Sequence, residues 1–128
     1  MEIRAATIDD WPSIYPFFHY IVEAGETYAY PERLSLEEAR GWWMQAQPGV
    51  TVVAVEGATV LGSAKMGPNR PGRGAHVATA SFMVDPSCRG RGVGRALGNH
   101  VLAWAKGEGY RAVQFNAVVE TNDAAVGL

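Results

Sequence analysis

Along the chain, short β-branched and apolar runs alternate with longer segments in which apolar residues recur every three or four positions. "EIRAAT" alternates enough to predict a first strand. "DDWPSIYPFFHYIVEAG" follows with acids at its start and Gly25 at its end, and predicts a helix whose first turn accommodates Pro12. Pro16 lies deeper and predicts a kink or a restart of that helix. "LSLEEARGWWM" predicts a second helix, because Ser35 and Glu38 have the spacing at which each side chain satisfies a backbone amide of the first turn. Gly41 weakens its middle. "VTVVAVE" and "TVLGSAKMG" flank a short turn containing Gly57 and predict a hairpin.

After the polar loop "PNRPGRGAH", "HVATASFMVD" predicts a strand with Ala78, Ala80, Phe82 and Val84 on one face, ended by Pro86. From Gly92 to about Lys106 the pattern turns helical, with Val93, Leu97, Val101 and Trp104 along one side and Gly107 and Gly109 closing it. "YRAVQFNAVVE" predicts a further strand, with Val113, Phe115, Ala117 and Val119 facing one way and Gln114 and Asn116 the other. "TNDAAVGL" starts like a capped helix and stops after about one turn, too short to stand alone, so the chain reads as cut off at Leu128. The order β-α-α-β-β-β-α-β-(α) implies a mixed α/β fold in one domain, residues 1–128, with a right-handed parallel crossover from 77 to 119.

Composition narrows this only slightly. The 128 residues suit a single domain, and 48% hydrophobic against 19% charged residues indicates a globular protein. No stretch approaches the roughly 18 apolar residues of a membrane span, and the acidic N-terminus lacks the order of a secretory signal, so a cytoplasmic location is expected. One cysteine, Cys88, permits no internal disulfide, and His19, His76 and His100 lack metal-ligand spacing, so no metal is expected. Charge is lopsided: residues 1–64 hold nine acids and three bases, residues 65–128 four acids and eight bases. A basic half without a polybasic tract points to a local anion site rather than to nucleic acid.

That site is "RGRGVGRAL", Arg89 to Leu97, between a strand ending in Val84-Asp85-Pro86 and a helix beginning at Gly92. Amides converge there at the positive end of the helix dipole. Gly90, Gly92 and Gly94 let the main chain curl close to a ligand, while Arg89, Arg91 and Arg95 add positive charge. A pyrophosphate is the natural guest. The dinucleotide fingerprint fails, because its third glycine would fall on Leu97 or Arg95, and the mononucleotide loop fails at Gly94-Arg95-Ala96.

What remains is Arg-x-x-Gly-x-Gly at Arg89, Gly92 and Gly94, after "VDP" and before an amphipathic helix. This resembles the acyl-CoA signature of the GNAT N-acetyltransferase superfamily, and the element order resembles that fold from Ile3 to Leu128. The resemblance implies acetyl-CoA as co-substrate, with its pyrophosphate held by amides from Arg89, Gly90, Arg91, Gly92, Val93, Gly94 and Arg95. It implies backbone groups of Met83 and Val84 along the pantetheine, which lies in a wedge where the Val84 and Phe115 strands splay apart. It also implies Asn122, from the Asn-x-x-Ala-x-x-Leu-like "TNDAAVGL", beside the pantetheine arm. The oxyanion donor is implied at the amide of Met83 or Phe82. The family's thiolate-protonating tyrosine and two closing strands would lie beyond Leu128, leaving a sheet edge that favours association, as in a homodimer.

The acceptor side is less marked. Where many relatives carry a glutamate on the cofactor strand, the inward candidates are Thr79 and Ser81, neither basic. Asn116 interrupts an apolar strand and is a substrate-side candidate, with a main-chain contact at the strand end as the competing reading. Glu26 is an amine-binding candidate against a solvated loop acid. Tyr28, Tyr30, Trp42 and Trp43 are pocket walls or core. Arg70 and Arg73 reach a 3′-phosphate or solvent, and a nucleophilic Cys88 lacks a histidine partner in the pattern. "FNAVVETN" and "VEAGETYAYP" resemble the branch of acetyltransferases for proline analogues such as L-azetidine-2-carboxylate. The expected activity is acetyl transfer from acetyl-CoA to the amine of a small, amino-acid-like molecule by direct attack in a ternary complex. The alternative is a non-catalytic acyl-CoA-binding or regulatory module.

Overall fold

The computed structural model describes residues 1–23, 35–44, 49–68, 77–88 and 90–119, the last four through their main chain. Among these residues five strands form one sheet in chain order: β1 (Glu2–Ala5), β2 (Val50–Glu56), β3 (Thr59–Pro68), β4 (Val77–Val84) and β5 (Ala112–Val119). Three α-helices accompany them: α1 (Trp11–Glu23), α2 (Leu36–Trp43) and α3 (Val93–Gly107). The first four strands pair antiparallel, and β5 joins β4 in parallel. A parallel neighbour lies out of reach of a tight turn, so α3 makes the crossover. This is the mixed α/β arrangement that the pattern predicted.

Side-chain alternation divides the core between the two faces of the sheet. Val53, Val55 and Met83 meet Trp11, Ile14, Phe17, Phe18 and Ile21 of α1 and Trp43 of α2. Val52, Ala54, Ala80, Phe82 and Val84 meet Val93, Leu97 and Val101 of α3. The predicted faces of the fourth strand and of α3 are therefore the observed ones, and Phe82 and Phe115 stack edge to face at 5.9 Å. Buried on both sides, β2, β3 and β4 read as nearly continuous apolar runs.

Local signals hold at most element ends. Glu38 N–H donates to Ser35 Oγ at 3.1 Å and Ser35 N–H to Glu38 Oε1 at 3.0 Å, which closes the capping box of α2. Gly57, at φ +61°, turns the β2–β3 hairpin between Glu56 and Thr59. Pro16 departs from expectation, because α1 runs unbroken from Trp11 to Glu23 with the proline inside. An internal proline costs about 3 kcal/mol, whereas each large side chain on the inward face contributes about 1.5–3 kcal/mol on burial, and α1 has five of these.

The β4–β5 ladder also differs from the implied wedge. Pairing continues as far as Met83↔Val119, so the strands do not splay within that stretch. The register instead shifts between Ala80↔Phe115 and Phe82↔Val118, placing two residues of β5 opposite Ser81. Phe82 and Phe115 packing on the α3 face holds the strands together on one side of this bulge. The predicted final helix, 121–128, lies outside the described residues.

Candidate active site

The turn after β4 is built from main chain. Asp85 N–H donates to Leu61 O at 2.9 Å and extends the β3–β4 ladder by one bond. The Asp85 carboxylate then accepts from Ser87 N–H and Ser87 Oγ, both at 2.9 Å, and Cys88 N–H donates to Asp85 O at 2.8 Å. These bonds turn the chain through Pro86–Cys88 toward α3. Gly90 and Gly92 follow at φ +81° and +76°, a region that β-carbon-bearing residues seldom occupy.

Gly92 caps α3 in the left-handed conformation and offers no side-chain acceptor. The first helical bond runs from Ala96 N–H to Gly92 O at 3.0 Å, so the amides of Val93, Gly94 and Arg95 have no partner inside the helix. They stand at the positive end of a 15-residue helix. Val93 and Leu97, fully buried against Phe82 and Val84, lock this helix end to the sheet. Gly62 of β3, which the sequence did not single out, allows that approach. A Cβ there would meet Met83 O at 2.8 Å, Val93 Cγ1 at 3.0 Å and Leu97 Cδ1 at 3.2 Å.

Of the three arginines assigned to the turn, Arg95 is exposed on α3 and Arg89 lies outside the described residues. Arg91 is directed elsewhere: its guanidinium donates to Glu56 Oε1 at 2.6 Å, which holds its pKa above the ordinary arginine value. Glu56 ends β2, and antiparallel pairing brings the β2–β3 turn to the same end of the sheet as the C-terminus of β4. The Arg91 guanidinium is thus engaged at the end of β2.

The β3–β4 register also redistributes the roles proposed along β4. Residues that exchange bonds across an antiparallel ladder alternate with residues that turn away. With Asp85 bonded to Leu61 and the register unbroken from Gly62↔Val84 to Pro68↔Ala78, Met83 and Ser81 direct their main-chain groups at β3. Phe82 and Val84 direct theirs toward β5. The Met83 amide therefore belongs to the β3 ladder, whereas that of Phe82, the alternative donor, is directed toward β5, where Phe82 pairs with Val118. Val84 stands one residue beyond the last β4–β5 pair, Met83↔Val119.

Several candidates resolve toward structure. Trp43 is fully buried with Nε1 donating to Ser63 Oγ at 2.8 Å, while Trp42 stays 45% exposed. Cys88 is buried in the α3-side core, not presented at the turn. Tyr15 Oη and His19 Nδ1 are 3.5 Å apart on the exposed side of α1. Asn116 is in β5 at the bulge opposite Ser81. Glu26, Tyr28, Tyr30, Arg70, Arg73, His76 and Asn122 fall outside the described residues. A mostly apolar cavity of about 360 Å³ lies between Pro16, Phe17 and Tyr20 of α1 and Asp85, Pro86 and Ser87 of the turn. It brings α1 to the mouth of the candidate anion site. Among the described residues no helix is long and apolar enough to cross a membrane.

A five-stranded mixed sheet with an amide-rich turn from β4 into α3 is the architecture of acyl-CoA N-acyltransferases. The acetyltransferase (GNAT) family matches residues 7–128. The chain belongs to this family. A GCN5-related N-acetyltransferase from Kribbella flavida is 59% identical, with a TM-score of 0.89 over 98% of this chain and 77% of that one. The N-acetyltransferase aca1 of Schizosaccharomyces pombe is 29% identical over 127 residues, and the match covers 88% of this chain but 61% of the yeast protein. This chain therefore spans less than two thirds of that relative. A phosphinothricin acetyltransferase from Sinorhizobium meliloti, solved in complex with acetyl-CoA, shares the fold at 23% identity and a TM-score of 0.75, covering 87% of this chain and 64% of that one.

Proposed function

We propose that this protein is an acetyl-CoA-dependent N-acetyltransferase that transfers acetyl directly to the amine of a small, amino-acid-like molecule. The observation that carries this reading is the left-handed Gly92 cap, which leaves the first-turn amides of α3 without partners inside the helix at the C-terminal end of β4. Backbone donors at a helix N-terminus bind a pyrophosphate without side-chain help. Gly90, Arg91, Gly92, Val93, Gly94 and Arg95 hold that group by their main chain, with Arg89 and Asn122 assigned to the same cofactor by resemblance. When bound, acetyl-CoA supplies an activated acyl carbon. The chain's part is to position that carbon, receive the developing oxyanion at a β4 amide directed toward β5, and hold the amine in line with it. Phe82 takes the oxyanion role, and Val84 the pantetheine.

On the acceptor side, Asn116, Glu26 and Tyr28 remain the proposed substrate contacts. Thr79 and Ser81, the polar residues of β4 on the α1–α2 face, carry no base, and this favours proton loss from the amine through water. The same observation supports the competing reading, an acyl-CoA-binding module without turnover. Calorimetric titration with acetyl-CoA followed by thiol release across a panel of amines separates the two. Binding with release on at least one amine supports the enzyme; binding without release on any amine establishes the module.

A further inference from the structure

The cavity of about 360 Å³ between α1 and the turn after β4 is lined by Pro16, Phe17 and Tyr20 on one side and by Asp85, Pro86 and Ser87 on the other. Its side of the sheet follows from strand alternation. Met83 packs beneath α1 and Val84 beneath α3, so Asp85 returns to the α1 side, where the cavity opens. Two of its walls, Pro16 and Pro86, are prolines, with no rotamer freedom to lose when a ligand enters. Pro16, which α1 carries at a cost in helix stability, thus supplies a rigid apolar wall.

Two polar groups at this cavity have no partner among the described residues. Tyr20 is 59% exposed, and its hydroxyl makes no hydrogen bond there. Asp85 Oδ1 takes both bonds from Ser87, which leaves Oδ2 without a donor. Small-molecule sites span roughly 300–1,000 Å³, with apolar walls that hold a ligand and a few polar groups that orient it. This cavity lies at the lower end of that range. It has room for one aromatic or branched side chain and little more.

The cavity also stands on the side from which an acceptor must come. The α3 face of β4 is closed by Phe82 and Phe115, edge to face at 5.9 Å, and by the fully buried Val93 and Leu97. An amine therefore approaches an acyl carbon held at the Phe82 amide from the α1 face. Along β4 that face is covered as far as Met83, which is fully buried, and it opens at Asp85. Three residues, about 10 Å, separate Phe82 from Asp85; an attack distance of about 3 Å takes up part of this span and an arylalkyl side chain the rest. Resting on the acetyltransferase reading, we propose that this cavity seats the acceptor's side chain and selects free amino acids with an aromatic or large branched side chain. Tyr20, on the open side of the cavity, is the specificity-determining residue.

The test measures kcat/KM for acetyl transfer to glycine, alanine, leucine and phenylalanine. Leucine and phenylalanine should exceed alanine by roughly 10- to 100-fold, the order of discrimination that apolar pockets give. Phe17 is buried in the core, so the variant is Tyr20→Ala, at an exposed position where alanine favours the helix. It should lower the phenylalanine-to-alanine ratio roughly five- to twentyfold, chiefly through KM. An unchanged ratio overturns the inference, as does equal use of the four amino acids. Calorimetry with coenzyme A tests the rival occupant: if Tyr20→Ala weakens coenzyme A binding as much as it lowers the ratio, the cavity houses the cofactor and the inference falls. Calorimetry of phenylalanine binding in the presence of coenzyme A gives a readout independent of turnover. Binding that Tyr20→Ala weakens, in a protein that transfers no acetyl group, supports the side-chain cavity and sinks the enzyme reading alone. Binding that Tyr20→Ala leaves unchanged, or no phenylalanine binding at all, sinks the side-chain cavity.

Discussion

The two faces of the sheet are made differently. Against α3 the contact is almost wholly apolar, and glycine permits its closest approach: Gly62 lets Val93 and Leu97 settle onto β3 and β4. Against α1 and α2 the layer admits polar groups, namely Thr51, Ser63, Lys65 and Ser81, and a tryptophan relay fastens α2 to β2 and β3. The α3 face thus presents main-chain donors on a rigid support, suited to a cofactor whose phosphates are the same whatever acyl group they deliver. The opposite face presents side chains, suited to distinguishing one acceptor from another. Backbone sites recognise charge and shape with few sequence requirements, whereas side-chain sites can be retuned position by position.

On this contrast, the largest effect falls on the α3 support. Gly62→Val should lower stability by about 3 kcal/mol, the upper range for overpacking, because Met83 O is backbone and cannot rotate away; urea unfolding measures it. Equal stability would mean that α3 does not sit as closely as described. Gly92→Val comes next. Forcing a β-branched residue to φ +76° costs about 1–2 kcal/mol, so acetyl-CoA affinity should weaken by roughly tenfold in calorimetry. On the other face, Ser63→Ala leaves the Trp43 indole N–H without its acceptor in a dry environment. Stability should drop by about 1–2 kcal/mol, with acetyl-CoA affinity retained. A matching loss of cofactor affinity would erase the division of labour between the faces.

A smaller effect concerns Asp10, which lies outside both sites. Arg4 grips it through two bonds at 2.8 and 2.9 Å, and Thr7 N–H donates to it at 2.7 Å. The Arg4 hydrogen bond is the main cause holding its pKa at about 2, below the ordinary aspartate value. This contribution is complete above the unfolded-state pKa near 4 and is lost as pH falls through about 2. Asp10→Asn should therefore lower stability at pH 7 by about 1 kcal/mol, reduced because Arg4 is partly exposed, and the difference should vanish in acid unfolding near pH 2. The smallest effect belongs to the exposed Arg91–Glu56 pair. Glu56→Gln releases the guanidinium and should tighten acetyl-CoA binding less than about threefold, and only at low salt.

Local signals carried far along this chain. The Ser35–Glu38 box, the Gly57 turn, the alternation of Ala78, Ala80, Phe82 and Val84, and the glycines after Pro86 each specify their own element through interactions within a few residues. Pro16 misled for the same reason: its local penalty is real, but the burial that overrides it comes from strands far away in sequence. The Arg91 guanidinium and the Met83 amide depend likewise on distant partners. The salt bridge to Glu56 spans 35 residues, and the direction of the Met83 amide depends on its register with Ser63. Neither leaves a trace in the spacing of "RGRGVG". Lys65 gave no signal at all, because a single lysine in a strand reads as solvent-facing until α2 is laid over it.

By itself, the order of residues determined the set of elements, the apolar faces of β4 and α3, and the amide-rich bend that joins them. These depend on contacts between near neighbours, where sequence distance and spatial distance are the same. Tertiary structure decided which main-chain groups remain available to a ligand, which arginine is diverted, and which face of the sheet carries polar side chains. Those outcomes depend on strand register and on the helix packed across it, and a shift of one residue would reverse the direction of every group concerned.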